Sequence, residues 1–315
     1  MARESAAPPA TTAAEGSQPL GGAGEPGRRS WLVGGSRAIA SWLGVVPFFA
    51  YASLFLLIPT GEIVVQAFRT PSGRFTLSNV AGLADPQALS AFEATIKVSL
   101  VTAVLGGLFG LFVAQAALRD GGAAWIRPVM VTFAGVASNF AGIPLAFAFI
   151  ATLGSTGVVT QLLSRLGLHL YAHGFTIYGL FGLSITYMYF QFPLMVLIIA
   201  PALEGIRKEW REASVNCGAT TRQYWRLVGL PILLPSLLGA MVLLFGNAFS
   251  AYATPYALSS GYINLVPVMI GEAVNGDLAS NPQLGASLAF GMIVVIAVTV
   301  ALYAVLQRRT ARWLR

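Results

Sequence analysis

The side chains able to carry covalent chemistry are few in this sequence and poorly placed for it. Aspartate occurs only at Asp85, Asp120 and Asp277, never as a pair, which leaves no acid–base couple for hydrolysis. His169 and His173 stand four apart, a spacing that can turn two ligands to one helical face. No neighbouring acid or cysteine completes a set, so no metal is expected. The single cysteine, Cys217, excludes an internal disulfide framework and reads as a small packing residue beside Gly218. The two lysines follow Ile96 and Arg207, so the Gly-Lys-Ser/Thr of a phosphate loop is missing and no nucleotide or other cofactor is expected. Charge gathers instead in one stretch, around Arg207, Lys208, Arg211, Glu212, Arg222 and Arg226. That is a composition for recognition, not for bond making.

Those residues must be held by elements that are otherwise apolar. Of 315 residues, 56% are hydrophobic and 10% charged, where a soluble domain carries about 25% charged. Apolar windows recur that are long enough to cross roughly 30 Å of hydrocarbon. The expected fold is therefore an all-α polytopic membrane protein with six transmembrane helices, at roughly 40–68, 94–118, 127–153, 176–202, 231–257 and 285–306. A cytoplasmic N-terminus places 15 of the 19 Lys and Arg residues on cytoplasmic segments, and the opposite orientation would invert that ratio, so both termini are expected in the cytoplasm. The net charge of +7 follows from this asymmetry, and nucleic acid is not an expected partner.

Residues 1–36 are rich in Ala, Pro, Gly, Ser and Thr and have no apolar period, so they are expected to form a disordered cytoplasmic tail. Within them, Arg28-Arg29-Ser30-Trp31-Leu32 looks like a twin-arginine export signal. The segment after it is too long for a signal core and lacks a small-residue cleavage site, so it reads as the positive flank of the first span. The outer loops are about 69–93, 154–175 and 258–284, and the last reads either as a surface for an extracytoplasmic partner or as a plain solvated loop. Pro47, Pro59, Gly142, Pro144, Pro193 and Pro255 interrupt the spans, and Gly106, Gly107 and Gly110 allow close helix approach.

The charged loop, 203–230, reads as two short helices outside the membrane. Glu204 to Cys217 favours helix, with Glu204 and Lys208 at i,i+4. Gly218 ends it, and Thr220 or Thr221 caps a second helix over 219–229. Pro231 and Pro235 open the next span. Tyr224 and Trp225 beside Arg222 and Arg226 suit a docking surface or an amphipathic interfacial helix.

This loop resembles the cytoplasmic signature of permease subunits of binding-protein-dependent ABC importers of the type I class. That signature runs Glu-Ala-Ala, three residues, Gly, nine residues, Ile, any residue, Leu-Pro. Here it reads Glu212-Ala213-Ser214, three residues, Gly218, nine residues, Val228, Gly229, Leu230-Pro231, with Ser214 and Val228 as the departures. The resemblance covers roughly 40–310 and implies that 37–315 is an importer transmembrane domain with a coupling loop at 203–230. It implies a non-enzymatic subunit whose loop docks on a dimer of cytoplasmic ATPase subunits. Glu212 would meet a basic residue of the ATPase, Ala213 and Ser214 would pack on it, Gly218 would form an elbow, and Leu230-Pro231 would re-enter the membrane. It further implies a second, different permease chain and an extracytoplasmic solute-binding protein, all within a lipid bilayer.

Polar residues inside spans are costly and mark function by default. Glu62, Asn139, Tyr187, Tyr189, Gln191, Asn247 and Tyr252 are the candidates for a translocation pathway, with helix packing as the alternative for Tyr187, Tyr189 and Gln191. Glu62 either attracts a cationic solute or is an interfacial carboxylate that snorkels or pairs with Lys97. The stretches Tyr187-Met-Tyr-Phe-Gln-Phe-Pro-Leu-Met195 and Asn139-Phe-Ala-Gly-Ile-Pro-Leu-Ala146 resemble permeases of the polyamine, ferric-iron and phosphonate import group. That resemblance implies a polyamine-like cation, with ferric iron, phosphonate or a sugar as alternatives. A secondary transporter would show internal repeats and coupling charges, and a membrane-embedded enzyme would show clustered acids or a Ser/His pair; neither pattern stands out.

Overall fold

The computed structural model describes residues 45–118, 125–259, 263–275 and 281–311. The tail 1–36, its twin-arginine-like run and residues 40–44 of the first expected span lie outside them. Among the described residues the regular elements are helical, with one isolated β-bridge between Arg69 and Phe75. The chain divides into two compact units, Met1–Ile58 and Pro59–Arg315. The described part of the first unit is a single apolar helical stretch whose residues are almost all exposed.

Six helical stretches are long and apolar enough to cross a membrane, in agreement with the expected number. The first, α1 (Val45–Ala67), carries a π-turn over Ser53–Leu57 that ends two residues before Pro59. The second, α2 (Pro86–Ala117), starts eight residues before the expected 94. The reason is local: the Asp85 side chain accepts from the Gln87 N–H at 2.8 Å and Pro86 occupies the first turn, so a strong start signal precedes the apolar run.

The expected third span is two helices, α3 (Ile126–Asn139) and α4 (Ile143–Leu153). Between them Gly142 has φ 78° and ψ −148°, a conformation open essentially only to glycine. The apolar run continues past 153 into α5 (Val158–Arg165), so the third long stretch is Ile143–Arg165. The remaining elements are α6 (Leu180–Glu204), α7 (Lys208–Asn216), α8 (Thr221–Phe249), α9 (Ala253–Ser259), α10 (Val266–Asn275) and α11 (Pro282–Ala311).

Within the second unit, α2 and α6 form the centre, and α3 and α8 pack on them. Glycine sets how close that central pair comes. A Cβ on Gly110 would lie 2.5 Å from the Met195 Cβ, and one on Gly106 would lie 2.7 Å from the Gln191 Cβ. One apolar cluster gathers Val98, Leu145, Leu183, Tyr187, Phe190 and Leu258; another gathers Ala103, Met195, Ile199, Leu237, Leu244 and Phe249. Several polar groups here are satisfied within the helices, as a span requires. The Thr95 and Ser99 hydroxyls donate to the Ala91 and Thr95 carbonyls at 2.6 and 2.7 Å. The Thr95 oxygen also accepts the Val266 N–H at 3.0 Å, which fastens α10 to α2. The outer segment after α9 is therefore not a plain solvated loop: it holds a helix with Val266 and Val268 buried.

Candidate functional site

The charged loop folds around Gly218. Helix α7 ends at Asn216, and Gly218 takes a φ of 75°, left-handed backbone that an L side chain resists. The Ala219 N–H donates to the Ser214 carbonyl at 3.0 Å and the Gly218 N–H to the Val215 carbonyl at 2.9 Å, the paired bonds of a Schellman C-cap. One residue later Thr220 starts α8 with a capping box. Its hydroxyl accepts the Gln223 N–H at 3.3 Å while the Gln223 side-chain oxygen accepts the Thr220 N–H at 2.7 Å. The elbow is thus closed by hydrogen bonds on both sides. A Cβ on Gly218 would meet nothing within 4 Å, so this glycine answers a backbone demand and not a steric one.

The other signature residues can now be placed. Glu212 and Ala213 are exposed on α7. Ser214, the departure from alanine, donates its hydroxyl to the Arg211 carbonyl at 2.7 Å; its extra polar atom is spent on its own helix. Cys217 is exposed rather than packed. Leu230 and Pro231 do not begin a new element, as expected, but lie inside α8, which runs unbroken from Thr221. Proline at 231 has no N–H for the Leu227 carbonyl, and its ring would strike that carbonyl in a regular α-turn. A π-turn over Trp225–Gly229 provides the room, with the Leu230 N–H reaching back to the Trp225 carbonyl.

The aromatic pair is the main correction to the loop. Tyr224 is 5% exposed and Trp225 is half-buried, their rings edge to face with centroids 5.6 Å apart. They point into the molecule, and the free position of the signature is Gly229 because the Trp225 indole lies over it, 2.6 Å from where a Cβ would stand. An ion pair that the sequence reading missed braces the same end. Arg127 near the start of α3 pairs with Glu204 at the end of α6. The expected Glu204–Lys208 helix pair does not form within one helix, because α6 stops at Glu204 and α7 restarts at Lys208.

The candidate pathway residues separate into two groups. Tyr187 (1% exposed) and Gln191 (0%) are interior. Gln191 donates to the Leu244 carbonyl at 3.0 Å and so ties α6 to α8, while its side-chain oxygen has no partner. Tyr189 is half-buried with its ring edge-on to Phe140 and Phe149. Asn139, Asn247 and Tyr252 are exposed, as is Glu62. Glu62 accepts from Gln66 at 3.2 Å, and Lys97 pairs with Glu93 on its own helix, so the Glu62–Lys97 pairing is not formed. His169 meets the Ser164 hydroxyl at 2.9 Å.

Two helix breaks meet beside the exposed group. α3 and α4 part at Phe140–Gly142, and α8 and α9 part at Ser250–Tyr252. The Thr254 hydroxyl accepts the Gly142 N–H at 2.9 Å and contacts the Gly142 carbonyl at 3.3 Å, joining the two interruptions across 112 residues of chain. Paired discontinuities of this kind are where irregular backbone lines a path in transporters.

Among the described residues, six candidate spans with a short helix and a capped glycine elbow between the fourth and fifth fit a polytopic membrane protein. The chain belongs to the binding-protein-dependent transport system inner membrane component family, whose model matches residues 106–312, and it is a multi-pass cell-membrane protein and an ABC importer permease subunit. Among its relatives, a probable sulfate transport system permease protein of Nephroselmis olivacea is 25% identical over 88% of this chain and 92% of its own length. The sulfate transport system permease protein of Salmonella typhimurium is 24% identical over 64% of this chain and 69% of its own. The fold is that of a bacterial ABC transporter involved in import of the acidic polysaccharide alginate, with a TM-score of 0.68 at 18% identity over 90% of this chain and 99% of that one. A methionine ABC transporter chain in an inward-facing conformation gives 0.51 at 18% identity, covering 72% and 99%.

The finer resemblance to the polyamine, ferric-iron and phosphonate group is not what these relatives support: they are sulfate permeases. The residues that suggested that group include Tyr187 and Gln191, which are both buried within the chain.

Proposed function

We propose that this subunit conducts a tetrahedral oxyanion of the sulfate class, driven by ATP hydrolysis on separate subunits that engage the loop 203–230. The observation that carries the solute is the kinship to sulfate permease proteins along most of the chain. The charge distribution supports it. From Gly121 to Gly271 the only acids are Glu204, Glu209 and Glu212, all at the loop, so spans three to five offer a cation no carboxylate along its way. The exposed polar groups at the helix breaks, Asn139, Asn247 and Tyr252, are neutral.

The family and the loop support a reading of the rest of the assembly. Glu212, Ala213 and Ser214 meet a cytoplasmic ATPase dimer, a second and different permease chain completes the pathway, and an extracytoplasmic binding protein delivers the solute. The test is uptake into proteoliposomes holding the full assembly. Sulfate accumulation that requires ATP and the binding protein is expected. ATP-dependent uptake of a polyamine in place of sulfate would overturn the solute. For the docking, Glu212→Lys should abolish capture of the ATPase; capture at the wild-type level would refute that role.

A further inference from the structure

A cavity of about 520 Å³ opens behind α7, between the loop and the cytoplasmic ends of the spans. Its lining is mixed. Arg207, Lys208 and Arg211, at the start of α7, supply basic groups. Phe112, Leu118 and Leu203, from the ends of α2 and α6, supply apolar surface together with Trp225. The acid in the lining, Glu204, is paired with Arg127, so its charge is already met beside Arg207 and Arg211. Arg207 also stacks over Trp210, its guanidinium 6.0 Å from the ring centroid, a weak contact that leaves its N–H groups available.

Ala213, the middle residue of the docking triplet, faces away from the cavity. At 3.6 residues per turn, Ala213 sits about 170° around α7 from the midpoint of Lys208 and Arg211. Of the Glu-Ala-Ser triplet, none of the three residues lines the cavity. Glu212 lies nearer, about 70° from that midpoint, so an ATPase held chiefly through Ala213 would leave the basic side chains of the cavity uncovered.

We propose that this cavity binds the phosphate headgroup of an anionic phospholipid from the cytoplasmic leaflet, with the acyl chains running along Phe112 and Leu118. Basic groups beside apolar surface, at the depth where spans leave the membrane, are the chemistry that headgroup and chain require together. The volume is far more than one tetrahedral oxyanion fills, and the apolar part of the lining offers such an ion nothing. A lipid seated there braces α7 against α2 and α6, so the leaflet composition sets how firmly the loop is held. The proposal does not depend on which solute is carried.

The experiment purifies the full chain in its assembled transporter, in mild detergent, and quantifies co-purified phosphatidylglycerol and cardiolipin by mass spectrometry. Arg207→Gln with Arg211→Gln should lower retained anionic lipid about tenfold. Arg222→Gln with Arg226→Gln removes the same charge from the same loop outside the cavity and should retain it. Elution volume and melting temperature check that both pairs fold. Equal retention in the two pairs, or equal loss, would overturn the site. In a second arm, short-chain phosphatidylglycerol should displace the bound lipid where inorganic phosphate does not. Displacement by inorganic phosphate as readily would reassign the cavity to a free oxyanion and overturn the lipid.

Discussion

Gly218 shows how a single backbone angle decides what a position tolerates. The left-handed conformation costs an L residue about 1–2 kcal/mol, and asparagine bears it better than most. Gly218→Asn should therefore keep ATPase capture near the wild-type level, whereas the β-branched Gly218→Val should lose most of it. Pull-down of the ATPase from detergent checks both, and strong capture by the valine variant would show that the elbow is dispensable.

Gln191 is the second instructive residue. Its amide bonds the Leu244 carbonyl, yet its oxygen is buried without a partner, so the two contributions oppose each other. Gln191→Leu is expected to change unfolding free energy by less than about 1 kcal/mol and to leave uptake intact. Lost uptake at unchanged stability would instead place Gln191 in the pathway. The signature spacing, the Gly218 elbow and the Thr220 cap were legible in the sequence because each is a local rule written in adjacent residues. The inward turn of Tyr224 and Trp225 was not, since a short amphipathic run does not say which face meets the rest of the chain.

Among the elements, α8 departs most from expectation. Its unbroken course from Thr221 depends on the π-turn before Pro231, and a matching π-turn precedes Pro59 in α1. A π-turn holds one residue more than an α-turn, so closing it rotates everything on one side by roughly 100°. Pro231→Ala restores the N–H that an α-turn needs. The expected result is several-fold weaker stimulation of ATP hydrolysis by solute-loaded binding protein, with the melting temperature unchanged. Wild-type stimulation would mean that the turn is only a packing accommodation. The joint between breaks has its own test. Thr254→Val removes both contacts to Gly142 and should cost about 1–2 kcal/mol in denaturant unfolding. The interruption at Gly142 was readable from sequence, but the pairing of that break with Ser250–Tyr252 depends on a contact 112 residues away and left no local trace.

For the whole molecule, apolar length and basic asymmetry gave the six spans and a stated orientation, and Cys217 offers a direct check on the latter. It is the sole cysteine of the chain and is exposed in the loop. A membrane-impermeant maleimide should label it in inside-out vesicles and not in intact cells, and bound ATPase should slow the reaction. Labelling from outside intact cells would reverse the topology. Span ends were less legible than span number, because capping residues such as Asp85 and Thr220 extend helices beyond the hydrocarbon that composition detects.

The elbow and α8 together have a mechanical consequence. From Thr221 to Phe249 the helix is about 43 Å long, and at one end it follows α7 across the capped elbow while its other end stops at the break held to Gly142. No slack segment lies between the charged loop and that break. On the proposed docking, a displacement received at α7 would reach that break through one helix, and the π-turn over Trp225–Gly229 is the place along it where the displacement could be absorbed.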